Sequence, residues 1–372
     1  MEKKLNDRKV IVVSGVNLRK GGTLTILRDC LQDLSMHVAQ QYRVVALVHQ
    51  RKLCDYPNIE YIEMPDTIKG WGKRLWCEYV TMHRISKQLS PVYLWLSMHD
   101  TSPRVIADRQ AVYCQTSFPF FKWHWRDFKM DFKIPLFAMF TRFAYLVNVN
   151  NNKYLIVQQQ WLREGFSKML GIDKSKFIVA PPKKKISSVI AEQVARDVYT
   201  FFFASTPDCH KNFETLCEAT RLLEEEVGVG RFKVVMTISG QENKYAKWLF
   251  KQWGKVKSLD FAGFMKKDTL YGYYHSTDCF VFPSRIETWG LPISEFMETR
   301  KPMLLADLPY AHETAAGSQH TAFFPAENAV ALKEMMKRLF EEDDSFLGRV
   351  ENKSLQNPQA QSWEELFDLL LE

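Results

Sequence analysis

The chain has 372 residues, of which 46% are hydrophobic and 25% are charged, and its formal net charge is +7. This length suffices for two ordinary domains, and the composition excludes a disordered chain. The excess of basic residues favours acidic partners such as a nucleotide, a pyrophosphate or an anionic membrane, without choosing among them.

The chain begins with an apolar run over residues 9–14 (KVIVVS) that predicts a buried β-strand. The run is too short, and too closely followed by charge and glycine, to be a secretory signal or a membrane span. Seven cysteines are scattered without a paired C-x-x-C spacing, a distribution typical of reduced, buried thiols. We therefore expect a cytoplasmic protein, at most bound to the inner face of the cell membrane.

Apolar, β-branched runs alternate with longer stretches of helical periodicity, a pattern typical of βαβ units. The predicted strands lie at 9–14, 43–48, 92–97, 111–114 and 153–157, and then at 200–205, 232–238, 278–282, 302–306 and 321–324. The alternation predicts an α/β fold with two Rossmann-like parallel-sheet domains. Open parallel sheets bind ligands at the carboxyl ends of their strands, so we expect the two domains to face a cleft that holds the ligand.

A break in the pattern divides the chain into two predicted domains. Pro181 and Pro182 interrupt the alternation, and a lysine run unsuited to a core follows them. We place the first domain at 1–182 and the second at 183–359. A C-terminal helix at about 360–372 is expected to pack back onto the first domain.

Two glycines follow the first predicted strand. Gly21 and Gly22 lie just before Thr23, which is a good N-cap for the helix that comes next. The spacing is not G-x-G-x-x-G, so a dinucleotide site is not indicated. A tight turn that binds no ligand is the alternative interpretation.

Polar residues also end the next predicted strands of the N-terminal half. His99 and Asp100 follow the strand at 92–97, and Gln115 follows the strand at 111–114. These positions are suited to contact a second substrate at the edge of the sheet. A lone His and Asp at a strand end is more often structural, and that alternative stays open.

The segment 116–148 is unusually aromatic and carries four interleaved basic residues, Lys122, Lys129, Lys133 and Arg142. Apolar rings beside basic residues are typical of an element that contacts an anionic membrane surface. A pair of core helices is the alternative, and both interpretations hold if one face is buried and another meets lipid. The segment contains no recognised nucleic-acid motif, and no nucleic-acid partner is expected.

A lysine follows the first predicted strand of the second half. His210 and Lys211 come after the strand at 200–205, and Asn212 is a good N-cap for a helix whose apolar residues recur at helical spacing. Lys211 is therefore expected just outside a helix N-terminus, at the ligand-binding edge of the sheet. An ordinary solvated lysine is the alternative.

The stretch FVFPSRIETWGLPISEFMETRKP, residues 280–302, combines a buried strand, a loop and a helix start. Glu287 falls in the loop after the strand, and Pro292 suits the first turn of a helix. Gly290 allows a ligand to approach the backbone closely. Glu295 is predicted in the first helical turn, where a carboxylate can accept two hydrogen bonds from a vicinal diol such as ribose. A nucleotide sugar fits this set of groups.

These residues resemble a known family. FVFPSRIETWGLPISEFMETRKPMLLADLPYAHE (280–313) is similar to the C-terminal signature of retaining family-4 glycosyltransferases of the GT-B fold, in which two glutamates surround a G-L-P. The segments FAGFMKKDTLYGYYHSTDCF (261–280), HKNFETLCEA (210–219) and VSGVNLRKGGTLTIL (13–27) resemble further parts of that family. The resemblance is close in the C-terminal half and loose in the N-terminal half.

The resemblance implies roles for individual residues. Glu287 would contact hydroxyls of the transferred sugar, Glu295 the ribose, and the N–H groups near Gly290 and Leu291 the sugar or the diphosphate. Lys211 would neutralise the departing diphosphate, whose charge grows as the glycosidic bond breaks.

The remaining candidates stand around this set. The loop at Gly21 and Gly22 would close over the diphosphate, and His99, Asp100 and Gln115 would lie on the acceptor side. The chain departs from the family in lacking an arginine a few residues before Lys211. His210 or Arg285 would have to share its role, or the donor phosphate is held more weakly.

The resemblance implies a retaining, metal-independent hexosyltransferase. Its expected donor is a nucleotide diphosphate sugar and its expected acceptor a growing, lipid-linked surface polysaccharide such as capsule or lipopolysaccharide. No cofactor and no metal are expected, because the sequence has no H-E-x-x-H, no cysteine pair and no D-x-D on a polar loop. The alternatives are a non-catalytic nucleotide-sugar-binding protein and another GT-B activity such as nucleotide-sugar epimerisation.

Overall fold

A computed structural model describes residues 8–182, 198–352 and 354–372. The strands are β1 (Val10–Gly15), β2 (Arg43–Val48), β3 (Ile59–Glu63), β4 (Val92–Ser97), β5 (Arg109–Tyr113), β6 (Tyr154–Val157), β7 (Phe177–Val179), β8 (Tyr199–Phe203), β9 (Phe232–Met236), β10 (Leu259–Phe261), β11 (Cys279–Phe282), β12 (Met303–Ala306) and β13 (Thr321–Phe324). The α-helices are α1 (Gly21–Asp33), α2 (Trp71–Trp76), α3 (Met82–Gln88), α4 (Trp125–Met130), α5 (Lys133–Leu146), α6 (Gln160–Leu170), α7 (Phe213–Val227), α8 (Lys244–Trp253), α9 (Lys267–Ser276), α10 (Leu291–Phe296), α11 (Pro309–Thr314), α12 (Ala329–Phe340) and α13 (Trp363–Leu371).

The strands form two parallel sheets in two compact units. The first sheet has the order β3-β2-β1-β4-β5-β6-β7 and the second the order β10-β9-β8-β11-β12-β13. The first unit comprises the described residues within 1–116, 140–183 and 355–372, and the second those within 117–139 and 184–354. The predicted α/β class with two parallel sheets is confirmed.

The central strands of the first unit are buried on both faces. Every residue of β1 is buried, and β1 pairs in parallel with β2 on one side and β4 on the other. A strand covered by helices on both faces is a continuous apolar run rather than an alternating one. The apolar run at 9–14 therefore predicts a strand, which the structure contains as β1. The strands β2 and β4 have the same bounds as the sequence predicts.

Three strands were not predicted. The strand β3 is an edge strand with two exposed glutamates in five residues, and β7 and β10 have three residues each. Edge position, charge and shortness each weaken the periodic signal on which strand prediction rests.

The C-terminal residues join the first unit. The N–H of Ala360 donates to the carbonyl of Val179 at 2.9 Å, and the Tyr93 hydroxyl donates to the carbonyl of Leu371 at 2.8 Å. The apolar face of α13 packs into the core of this unit through Leu366, Phe367 and Leu370.

A buried arginine holds this C-terminal segment in place. Arg163 on α6 is 3% exposed and donates to the carbonyls of Lys174 at 3.0 Å, Gln356 at 2.7 Å and Asn357 at 2.7 Å. Hydrogen bonds from a charged group are stronger than those from a neutral one. The guanidinium thus fastens the segment before α13 to the first sheet.

The core of the second unit is rich in aromatic rings. Phe280 stacks on Phe296 with ring centroids 4.9 Å apart, and Phe203 lies 4.5 Å from Phe213. These contacts seat α10 and α7 against the sheet. The segment 117–139, which the sequence analysis assigned to the first domain, groups with this unit.

The seven cysteines are all buried and unbonded, as the sequence predicts. Burial raises the pKa of the Cys54 thiol to about 11. A thiol with such a pKa stays protonated at neutral pH, so Cys54 is unreactive.

We expect Arg163→Ala to destabilise the first unit by about 3 kcal/mol, because three backbone carbonyls lose a charged donor from a buried side chain. Chemical unfolding measures this loss, and hydrogen exchange should show the largest loss of protection in 359–371. Arg84→Ala is the matched control, since Arg84 is exposed, and it should change stability by less than about 0.5 kcal/mol. Equal stability of the two variants would contradict the assigned role.

Candidate functional site

The loop between β11 and α10 carries the two glutamates of the signature. The Tyr310 hydroxyl donates to the carbonyl of Ser284 at 2.7 Å, and the N–H of Arg285 donates to the carbonyl of His210 at 2.8 Å. The Thr314 hydroxyl donates to the carbonyl of Trp289. These bonds fix the loop at both of its ends.

Gly290 begins α10 in the left-handed conformation, with a φ of 90°. A Cβ atom there would lie 3.3 Å from Cδ1 of Ile293, so both the backbone and the packing favour glycine. Pro292 lies in the first turn of α10, as predicted.

An ion pair joins the loop to the end of a neighbouring strand. Nζ of Lys211 lies 2.6 Å from Oε1 of Glu287, and the two side chains are 15% and 13% exposed. The pair forms because β8 and β11 are adjacent parallel strands, with Cys279 paired to Phe201, so the residues after both strands emerge at the same edge of the sheet. The structure thereby brings the two predicted catalytic residues together.

Asn212 differs from the predicted helix cap. Its backbone is left-handed, with a φ of 59°, and its side chain caps no N–H of α7. Nδ2 instead donates to the carbonyls of Pro283 at 3.0 Å and Ala326 at 2.6 Å. Asn and Asp tolerate this backbone conformation better than other residues, and here Asn212 ties the turn that carries Lys211 to two neighbouring loops.

Glu295 lies near the end of α10, where it faces α9, and not in the first turn as predicted. Its Oε2 accepts a hydrogen bond from the Tyr274 hydroxyl at 3.2 Å. Burial raises the pKa of Glu295, and the bond from Tyr274 offsets this only in part. The carboxylate is therefore held by packing rather than by the helix dipole.

Arg285 forms a second, more deeply buried ion pair. Its Nη2 lies 2.6 Å from Oδ1 of Asp127 and 3.1 Å from the carbonyl of Cys209, and the guanidinium lies 4.9 Å from the Phe121 ring centroid. The side chains of Arg285 and Asp127 are 5% and 0% exposed. The charge of Arg285 is thus already balanced within the protein.

His210 is buried between aromatic rings. Its ring centroid lies 5.1 Å from that of Phe118 and 6.2 Å from that of Phe121. Burial lowers the pKa of His210 well below its usual value, and the charges of Lys211 and Arg285 lower it further. The imidazole is neutral at pH 7 and supplies no positive charge for a phosphate.

Sequence reasoning missed Asp127. The residue is the third of α4, and its Oδ2 accepts a hydrogen bond from the N–H of His124 at 2.8 Å in a capping box. The H-x-x-D spacing was a usable sign of a helix start. Nothing local indicated its partner Arg285, which is 158 residues away in sequence.

The same helix contributes another residue that the sequence analysis missed. Arg126 pairs with Glu214, a buried glutamate in the first turn of α7. Glu214 also accepts a hydrogen bond from Tyr245, whose hydroxyl oxygen accepts in turn from the N–H of Phe213 at 3.0 Å. This network fixes the N-terminal end of α7, next to Lys211.

The predicted acceptor-side residues lie in the first unit and are engaged with the fold. Oδ1 of Asp100 accepts from the N–H of Gln115 at 2.5 Å, the N–H of Thr116 at 3.0 Å and the hydroxyl of Tyr145 at 3.0 Å. Nε2 of Gln115 donates to the carbonyl of Met98 at 2.6 Å. These bonds join the ends of β4 and β5.

His99 is fully buried. Burial lowers its pKa to about 4, and nearby Glu78 offsets this only in part. Its Nε2 lies 3.1 Å from the Ser14 hydroxyl and its Nδ1 3.1 Å from the Thr101 hydroxyl. The geometry assigns His99 a bracing role, and an acceptor-side role remains a prediction.

Gly21 and Gly22 open α1 in the first unit. Gly21 has a φ of 67°, and a Cβ atom built there would meet no atom within 4 Å. Thr23 does not cap the helix, since its hydroxyl donates to the carbonyl of Lys20 at 3.2 Å. Gly21 is thus selected by backbone conformation, and contact with a diphosphate remains a prediction.

Within the part of the chain that the structure describes, no three His, Cys, Asp or Glu side chains are grouped so as to hold a metal ion. Three carboxylates of the site are each paired with a cation of the protein, and they are Glu287, Asp127 and Glu214.

Solved structures with a similar architecture include glycosyltransferases. Sucrose-phosphate synthase from Thermosynechococcus elongatus matches with a TM-score of 0.65 at 13% identity, over 98% of this chain and 95% of that one. Anabaena Alr3699/HepE in complex with UDP and glucose matches with a TM-score of 0.62 at 13% identity, over 90% and 91%. The lipopolysaccharide outer core galactosyltransferase WaaB matches with a TM-score of 0.60 at 10% identity, over 93% and 92%. The fold is therefore GT-B.

The second unit matches a known family. Residues 187–354 match the model of the family described as glycosyl transferases group 1. No curated protein sequence matches the chain. The segment 187–354 is thus similar to group 1 glycosyltransferases, in agreement with the resemblance noted in the sequence, and the fold of the chain is GT-B.

We expect Asp127→Ala to lower the free energy of unfolding by about 3–5 kcal/mol, because Arg285 would stay buried without its counter-charge. Replacing both residues, as Asp127→Ala with Arg285→Met, should restore most of the loss. Thermal and urea unfolding measure both variants.

Asp66→Ala is the matched control, since Asp66 pairs with Lys69 on the surface, where such a pair contributes at most about 1 kcal/mol. If Asp127→Ala is no more destabilising than Asp66→Ala, the buried pair does not hold the loop.

Proposed function

We propose that the protein transfers a sugar from a nucleotide diphosphate donor to a hydroxyl group of a growing glycan, with retention of anomeric configuration. The observation that carries this proposal is the pair of Lys211 and Glu287, 2.6 Å apart at the carboxyl ends of two neighbouring strands. This edge of an open parallel sheet is where such folds bind their ligands. We further propose that the acceptor is a lipid-linked surface polysaccharide.

Lys211 is the proposed partner of the departing diphosphate. As the bond between the anomeric carbon and the β-phosphate oxygen breaks, that oxygen gains negative charge, and an ammonium group beside it stabilises the transition state more than the ground state. The acceptor oxygen forms the new bond to the anomeric carbon, and its proton leaves with the diphosphate. We propose that Lys211 supplies the charge that a divalent cation supplies in other transferases.

Glu287 is the proposed partner of the sugar. Its carboxylate can accept hydrogen bonds from two hydroxyls, and its negative charge opposes the positive charge that develops on the sugar ring. The ion pair with Lys211 keeps both groups in place before the donor binds. Donor binding then replaces one strong contact with several, so that neither charge is left desolvated and alone.

Glu295 is the proposed partner of the ribose. The bond from Tyr274 fixes the orientation of the carboxylate, and the remaining lone pairs can accept from two vicinal hydroxyls. A ligand that holds the ribose here and the sugar at Glu287 would span the loop that contains Gly290, where no side chain obstructs it.

The missing arginine before Lys211 bears on the strength of donor binding. Arg285 is neutralised by Asp127, and His210 is uncharged. We therefore assign the positive charge to Lys211 and expect the donor phosphates to be held less tightly than by two cations. UDP and UDP-glucose are the first ligands to test, because Anabaena Alr3699/HepE has been solved with each.

The absence of an arginine before Lys211 also favours a second candidate function. In that case the protein binds a nucleotide sugar without catalysing its transfer. Such a protein would bind the donor but would neither hydrolyse it slowly nor transfer its sugar. Measuring release of the free nucleotide from the donor, with and without a glycan acceptor, distinguishes the two candidates.

Lys211→Ala should lower kcat by about a hundredfold or more while weakening donor binding far less, because the lost charge acts mainly on the departing diphosphate. Steady-state kinetics and calorimetric donor titration measure the two effects. Lys251→Ala, at an exposed position on α8, is the control and should leave both unchanged. An unaltered kcat in Lys211→Ala would show that Lys211 does not act on the leaving group.

Substitutions of Glu295 and Glu287 should affect different steps, namely UDP binding and sugar transfer. Glu295→Gln should weaken binding of free UDP by about tenfold or more, because the ribose is present with or without the sugar. Glu287→Gln should leave UDP affinity nearly unchanged and lower kcat sharply. Calorimetric titration with UDP and transfer assays on both variants measure this, and equal UDP affinities would contradict the assignment.

The pH dependence offers an internal check on Glu295. Its pKa is raised by burial, and the ionised form is the better acceptor for the ribose, so UDP affinity should rise as the pH increases through that raised pKa. The stability of the unliganded protein should fall over the same interval, since a raised carboxyl pKa favours the folded state at low pH. Both trends should disappear in Glu295→Gln. Any pH dependence of UDP binding that remains in this variant measures the titration of the diphosphate itself.

A further inference from the structure

Helix α5 has two apolar faces, and one of them is buried. Pro135, Ala138, Thr141 and Tyr145 recur at helical spacing and are buried. Tyr145 packs against Phe166, with ring centroids 5.0 Å apart. This face accounts for the place of α5 in the fold.

The opposite face, here called the outer face, is apolar and exposed. Its side chains are between 37% and 62% exposed, and they are Leu136, Met139, Phe140, Phe143, Leu146 and Val147. Spacings of three and four residues place such side chains along one side of a helix. Scattered exposed apolar residues are ordinary on proteins, but a contiguous row of this size marks an interaction surface.

The charges within helix α5 are positive, and the nearest carboxylate in the sequence, Asp131, precedes the helix and accepts from the N–H of Lys133 at 3.0 Å. Lys133 and Arg142 are exposed, and no aspartate or glutamate occurs between Lys133 and Arg163. In the described residues neither Lys133 nor Arg142 forms an ion pair. The outer face thus combines aromatic and aliphatic side chains with flanking positive charges that form no ion pair in the described residues.

We propose that the outer face of α5 docks onto an anionic lipid bilayer, with the helix lying in the plane of the membrane. Apolar side chains on one side of a helix enter the boundary between head groups and acyl chains, and flanking Lys and Arg contact anionic head groups. The helix has 14 residues, about 21 Å at 1.5 Å per residue, which is shorter than the roughly 30 Å of a hydrocarbon core. Among the described residues, no helix has the length and apolarity to cross a membrane.

Charge complementarity favours a bilayer over a second copy of the chain. Two outer faces packed together would gather the cations of both copies around one apolar contact, and helix α5 itself contains no aspartate or glutamate to balance them. Burying such charges without partners is unfavourable. An anionic bilayer instead supplies both negative head groups for the cations and acyl chains for the rings.

The proposal is tested by sedimentation of the full-length protein with vesicles made of equal parts phosphatidylglycerol and phosphatidylcholine. Wild-type protein should bind at low salt and release as salt increases. Phe140→Ser with Phe143→Ser should weaken binding by more than tenfold, and Lys133→Gln with Arg142→Gln by about 25-fold, at roughly fivefold for each charge. Vesicles of phosphatidylcholine alone should bind the protein weakly.

Matched controls distinguish binding through the outer face from nonspecific binding through other exposed apolar or charged side chains. Val229→Ser with Val330→Ser removes exposed apolar side chains elsewhere, and Lys251→Gln with Lys255→Gln removes exposed charges elsewhere, so both should bind like wild type. No sedimentation of wild type at low salt, or full binding by Phe140→Ser with Phe143→Ser, would overturn the proposal. A dimer in solution that this double variant abolishes would assign the face to a second copy instead.

The assay requires no donor and no acceptor. Its failure would therefore leave glycosyl transfer untouched, and failure of the transfer assays would leave membrane docking untouched.

Discussion

The parallel pairing of β8 with β11 is the interaction on which the candidate site depends. Because Cys279 pairs with Phe201 in the same strand direction, the chain leaves both strands at one edge of the sheet. Lys211 and Glu287 follow those two ends, and the ion pair between them closes a separation of 76 residues. Asn212 and Tyr310 then hold the two loops through hydrogen bonds to backbone carbonyls. Without the pairing of the strands, the two charges would have no reason to meet.

The cost of removing charged side chains from water explains why the Lys211–Glu287 pair is surrounded by other ion pairs. Three ion pairs lie near the signature loop, namely Lys211 with Glu287, Arg285 with Asp127, and Arg126 with Glu214. A buried charge without a partner would cost several kcal/mol. The pairs differ in accessibility, because Arg285 and Asp127 are almost completely enclosed whereas Lys211 and Glu287 keep some exposure. Lys211 therefore keeps partial access to solvent, whereas Arg285 is enclosed and holds the loop.

The aromatic segment before the second sheet meets two different physical demands. Asp127 on α4 is buried and balances Arg285, so this part of the segment belongs to the support of the site. Helix α5, which follows, turns one apolar face inward and leaves another in contact with water. Packing explains the first face, since Tyr145 is enclosed there. Packing does not explain the second face, for which we propose an anionic membrane as the partner.

Local pattern in the sequence predicts the class of fold, the family resemblance and the positions of strands such as β1, β2 and β4, because burial on both faces leaves a continuous apolar run. It also identified Glu287 and Lys211 as candidates. Tertiary structure alone decided what depends on distant partners, namely the pairing of Arg285 with Asp127 and the neutrality of His210 in its aromatic surroundings. The edge and three-residue strands likewise needed neighbours to form. The physical reason is that periodicity and backbone preference act over a few residues, whereas charge balance and burial depend on which distant segments the sheet brings together.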